Sequence, residues 1–142
     1  MKAILILSSV IVSVCPALAV SVPVSDDWSC VQSLSNFQDI DIKEGVFRLN
    51  NFSLSEGPAS FGSTPTGIKF TYSITNRGNS TMHLDLQLAA FDADRKLLFV
   101  ARSAPMMDMV RANSTTTGTG ITFSNGEMLS RAETFCLVVN GS

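Results

Sequence analysis

Between Ile68 and Asn76 bulky and polar side chains alternate without a break, with Ile68, Phe70, Tyr72 and Ile74 set against Lys69, Thr71, Ser73 and Thr75. Successive strand side chains point to opposite sides, so this spacing puts the large apolar groups on one face and the polar groups on the other. A helix would scatter both sets round its circumference. A second run follows, in which Met82, Leu84, Leu86, Leu88 and Ala90 share a face opposite His83, Asp85 and Gln87. Ala89 and Phe91 then turn that second face apolar. Asn76-Arg77-Gly78-Asn79-Ser80 supplies the turn between the runs.

Further strands are predicted on either side. Gly45 to Leu54 carries Phe47, Leu49 and Phe52 in an imperfect alternation. Ser55 to Gly67, with two prolines and three glycines, reads as a loop long enough to cross between two sheets. After the polar turn Asp92 to Lys96, the apolar run Leu97 to Ala101 fits a buried strand, whereas Ala104 to Asn113 is irregular. Thr115 to Phe123 alternates weakly, Asn125-Gly126 is a turn, Glu127 to Ala132 fits a turn or one helical turn, and Phe135 to Val139 closes the chain as an apolar strand. Short strands separated by turn residues, with no long helical pattern between them, predict an all-β fold of about seven antiparallel strands. Strand count and the crossover loop favour a sandwich over a barrel.

The first residues read differently. Met1-Lys2, the apolar run Ala3 to Val14 and Ala17-Leu18-Ala19 have the layout of a cleaved signal peptide over residues 1–19, and the run is shorter than the ~20 residues of a bilayer-spanning helix. Residues 20–44 then form an N-terminal leader and 45–142 the sandwich. Export leaves Cys30 and Cys136, a pair expected to form a disulfide in an oxidising, secreted or periplasmic compartment. That tie closes a loop of over one hundred residues, which chain-entropy estimates value at ~4–5 kcal/mol. Trp28, two residues before Cys30, is expected to pack over it as buried aromatic area. Loss of Lys2 with the signal takes the formal charge from −2 to −3, and no Lys/Arg run occurs, so a nucleic-acid partner is not expected.

The stretch Ile74 to Leu98, ITNRGNSTMHLDLQLAAFDADRKLL, resembles the central hairpin of small exported immunoglobulin-like modules of the FxLYD type. The matching positions are Asn76 at a strand end, Phe91-Asp92 at the end of the next strand, and Leu97-Leu98 after a polar turn. Arg95 stands where such modules often carry Gly, and Leu88-Ala89-Ala90 replaces their Phe-x-Leu. The resemblance implies an antiparallel immunoglobulin-like β-sandwich used for extracellular or periplasmic interaction, with no catalytic residue to carry over.

Few groups offer chemistry. His83 is the only histidine and lies on the polar face of its strand, so no Ser-His-acid set is expected. The pairs Asp92/Asp94 and Asp39/Asp41 sit at turns, where Asp caps backbone N–H groups. Four Asn-x-Ser/Thr triplets, at Asn51, Asn79, Asn113 and Asn140, mark surface positions. Soft thioethers suit Cu(I), which makes Met106, Met107 and Met109, with His83, Met82 and Met128, a candidate soft-metal set; a second His paired with Met is lacking. The leading expectation is therefore an exported, non-enzymatic binding or scaffolding module without cofactor. It would contact another protein or a cell-surface component through Ser55–Gly67, Ala104–Asn113 or a sheet edge. A periplasmic copper binder and an inhibitor of a secreted hydrolase are the alternatives.

Overall fold

The computed structural model describes residues 28–58, 66–105 and 108–141. In chain order these form β1 (Ser29–Gln32), helix α1 (Leu34–Gln38), β2 (Ile42–Glu44), β3 (Phe47–Pro58), β4 (Thr66–Asn76), β5 (Met82–Phe91), β6 (Leu97–Ser103), β7 (Met109–Val110), β8 (Ser114–Phe123), helix α2 (Met128–Arg131) and β9 (Thr134–Gly141). One antiparallel sheet runs β1-β9-β5-β6, with β7 pairing the start of β5, and the other runs β2-β3-β4-β8. The predicted signal peptide lies outside the described residues.

Both alternating runs keep their predicted faces. Ile68, Phe70, Tyr72 and Ile74 are at most 1% exposed, and Leu84, Leu86, Leu88 and Ala90 are equally buried. Phe135, Leu137 and Val139 of β9 complete the apolar layer. Phe37 of α1 enters it from the side, its ring centroid 5.6 Å from Phe52, 5.9 Å from Phe70 and 5.4 Å from Phe135. These tilted and edge-on contacts suit aromatic quadrupoles.

β8 fits beneath this layer because its inward positions are small. Gly118 lies opposite Tyr72, where a Cβ would stand 2.2 Å from the ring. The Tyr72 hydroxyl donates to the Ser103 carbonyl at 3.1 Å and so joins the two sheets, while burial pushes its pKa up to about 12. One side of the sandwich is closed where β6 bends towards β8. There Ala104 bridges Thr119, and a Cβ on Gly120 would meet the Arg102 carbonyl oxygen at 2.4 Å. On the other side α1 connects the border strands β1 and β2.

Several expectations are corrected. Ser55 to Gly67 is not a crossover loop: β3 and β4 pair as far as Pro58 and Thr66, so the chain turns back within one sheet. Pro58 is tolerated because it ends its strand; residues 59–65 lie outside the described residues. The chain changes sheets between β1 and β2, β4 and β5, β7 and β8, and β8 and β9. The boundary at residue 45 has no counterpart, since β1, α1 and β2 belong to the sandwich and bury Phe37, Ile40 and Ile42. Leu97 to Ala101 is half buried, because β6 borders its sheet and only Phe99 and Ala101 point inward. There are nine strands among the described residues, against about seven expected; β2 and β7, of three and two residues, are too short to leave a period.

The disulfide joins Cys30 and Cys136, which face each other in the β1–β9 register with Cα atoms 4.0 Å apart. Phe135 and Leu137 take the inward positions of β9, which leaves the bond on the outer side of the sheet. Trp28 is 46% exposed rather than buried over it.

Candidate functional site

The methionine candidates separate. Met82 and Met128 are partly buried and pack against the core. Met106 and Met107 lie outside the described residues. Met109 is placed directly opposite His83 where β7 pairs with β5. His83 also lines a cavity of about 320 Å³ with Asp85, Arg102, Asp108 and Asn140. Asp85 is engaged there, since Arg102 Nε donates to both of its carboxylate oxygens at 2.9 and 3.0 Å. Among the described residues no three His, Cys, Asp or Glu side chains group for a metal ion.

The aspartates at turns behave structurally. Asp92 Oδ1 accepts from the Asp94 and Lys96 backbone N–H groups and holds the β5–β6 turn. Asp41 accepts from Arg48 through Nε and Nη2, at 2.8 and 3.0 Å, and pairs with Lys43 Nζ at 2.9 Å. Those two cations hold its carboxyl down to about 2. Of the four triplet asparagines, Asn51, Asn79 and Asn113 are exposed and Asn140 is half-buried.

The feature sequence reading missed is the outer face of the β2-β3-β4-β8 sheet. Strand parity sends Thr71, Ser73 and Thr75 of β4 outward, and pairs them in register with Thr119, Thr117 and Thr115 of β8. Thr75 and Thr115 share a hydrogen bond at 3.0 Å, and Asn51 Nδ2 donates to Ser73 Oγ at 3.3 Å. The result is a hydroxyl-lined plane two to three strands wide. At one end stand Lys43 and Arg48, opposite each other in the β2–β3 register, with Arg77 just past β4. At the other, Ile121 and Phe123 are 61% and 76% exposed, beside a cavity of about 120 Å³ lined by Ser55, Pro58 and Lys69. Alternating Thr in β8 was the available signal, but only the register assembles the plane from three strands.

No family model matches the chain, and no match is found among curated proteins or solved structures. Among the described residues no helix is long and apolar enough to cross a membrane.

Proposed function

We propose that the chain is an exported, non-enzymatic binding module, of the kind its FxLYD-like hairpin implies, and that it meets its partner through the outer face of the β2-β3-β4-β8 sheet. One observation carries this reading: no other element among the described residues covers that face, and it offers hydroxyls, cations and exposed apolar groups in separate zones. The sheet edges are weaker candidates, because β1 and β2 span four and three residues and β6 bends onto β8. The partner is a component of the cell surface or its surroundings.

Co-sedimentation with an envelope fraction from the source cells tests the proposal. Wild-type protein should sediment, and Thr117→Glu with Thr119→Glu, which places acids at the centre of the plane, should abolish sedimentation. Gln87→Glu with Val100→Glu, on the outside of the other sheet, should leave it intact. Equal sedimentation of all three proteins, or of none, overturns the reading.

A second reading, soft-metal binding, is favoured by the placement of His83 across from Met109. Competition against a chromophoric Cu(I) chelator decides it. Wild type should capture Cu(I) and His83→Ala with Met109→Ala should not; equal capture by both sinks the idea.

A further inference from the structure

The basic end of the hydroxyl plane is concave. Lys43, Gly45, Val46, Phe47, Arg48 and Arg77 line a cavity of about 170 Å³ between the β2–β3 turn and the end of β4. The Arg77 N–H donates to the Val46 carbonyl at 2.7 Å, which fixes these two turns against each other, and the Asn113 N–H donates to the Gly78 carbonyl at 3.1 Å, which brings the turn carrying Arg111 alongside. Three cations thus line one cavity at this end of the sandwich, with Arg111 on the neighbouring turn.

Asp41 satisfies only part of them. It engages Nε and Nη2 of Arg48 and one donor of Lys43, leaving both Nη1 hydrogens of Arg48 and two hydrogens of Lys43 without a partner in that contact. Arg77 makes no ion pair among the described residues. Lys43, Arg48 and Arg77 against Asp41 and the neighbouring exposed Glu44 leave a single positive charge in excess, and the spare donors suit the planar or tetrahedral oxygens of an acidic group.

We infer that the face binds an acidic polysaccharide, with a carboxylate or sulfate of the chain held by Lys43, Arg48 and Arg77 and the sugars lying along the Thr/Ser plane. The inference rests on the binding reading above and names its ligand. From Thr115 to Phe123 the platform runs ~26 Å at the ordinary strand rise, a length suited to a polymer rather than a single ring. Its hydroxyls both donate and accept, as sugar hydroxyls do. Ile121 and Phe123 offer apolar contact to a sugar ring at the far end. A nucleic acid fits less well, since binding one at physiological salt calls on many phosphate contacts and the cavity holds a small excess of charge. A bilayer surface fits less well because the cations and the exposed apolar groups stand at opposite ends of the face.

The test is affinity electrophoresis and calorimetry of the full exported chain with polygalacturonate, dextran sulfate, neutral dextran, duplex DNA and anionic vesicles. Polygalacturonate or dextran sulfate should bind, whichever is tighter identifying the acidic group, and neutral dextran should not. Lys43→Ala with Arg77→Ala should weaken binding at least tenfold, Phe123→Ser by less, and Arg131→Ala at the opposite end not at all. Thermal melts of each variant confirm folding, which these exposed positions leave intact. Equal retention on neutral dextran, DNA or vesicles, or an unchanged affinity in the Lys43/Arg77 variant, overturns the inference. Failure of every polysaccharide while envelope co-sedimentation persists overturns the ligand alone; failure of both overturns the binding reading as well.

Discussion

Arg95 holds a backbone φ of 61°, in the left-handed region that a Cβ disfavours. It does so in the Asp92–Lys96 turn, where the Arg95 N–H donates to the Asp92 carbonyl at 3.0 Å. Arg95→Gly should relieve that strain and, after the extra backbone entropy of glycine, raise stability by about 0.5 kcal/mol. A thermal melt checks it, and a lowered midpoint would mean the arginine side chain itself supports the turn. Asp41 offers a pH test. Its hydrogen bonds from Arg48 and Lys43 lower its pKa from 3.8 to about 2, so its contribution is present above the unfolded value and is lost as pH falls from about 4 towards 2. Denaturant midpoints across that range should decline for wild type and decline less for Asp41→Asn; parallel curves would show that the triad does not stabilise the fold. Ser103 supplies a further residue-scale detail: its hydroxyl is buried without a hydrogen-bond partner among the described residues, while its carbonyl serves Tyr72.

At the scale of elements, β3 explains its own imperfect pattern. Asn50 pairs with Ser73 and Ser53 with Thr71, so Asn51 and Phe52 together oppose Tyr72, and Asn51 takes a positive φ of 55° that Asn accepts more readily than most residues. The bulge shifts the inward set from Phe47 and Leu49 to Phe52 and Leu54, which no strict alternation could reveal. β4 and β5 were legible because each buries one face against large partners. β8 looked weak because its inward positions, Gly118 and Gly120, are small to admit Tyr72 and the Arg102 backbone. α1 was illegible, since five residues give no helical period and its one buried side chain, Phe37, lies in a polar stretch. α2 depends on a distant strand. Glu56 of β3 accepts from the Met128 and Leu129 N–H groups at 3.1 and 2.9 Å and from the Ser124 hydroxyl; partial burial opposes ionisation, but these bonds outweigh it and lower the carboxyl pKa. Glu56→Gln removes one acceptor and the charge, and should cost about 1–2 kcal/mol in a denaturant melt with faster amide exchange at Met128 and Leu129. Unchanged exchange at both amides would remove Glu56 from that role.

For the whole molecule, the disulfide ties residues 106 apart in sequence, joining the first strand of the sandwich to the last. Reduction should lower the thermal midpoint by on the order of 10 °C, the equivalent of ~4 kcal/mol of chain entropy in a domain of this size. A midpoint indifferent to reductant would mean that α1 and the β1–β9 ladder already hold the N-terminal segment. The pairing was legible because the signal-peptide reading sets Cys15 aside and leaves two of the three cysteines, but the basic end was not: Lys43 and Arg48 meet across the β2–β3 register, and backbone bonds between turns bring Arg77 and the turn of Arg111 towards them. A sequence without a Lys/Arg run can therefore still carry a local positive field on a mildly acidic body. The bend of β6 onto β8 carries a different consequence. Unpaired ladder ends invite a second copy to add on, and here the two longest border strands lean on one another while the remaining borders offer four and three residues. Among the described residues these edges give a neighbouring copy little backbone to grip, which works against the growth of stacked sheets into fibres.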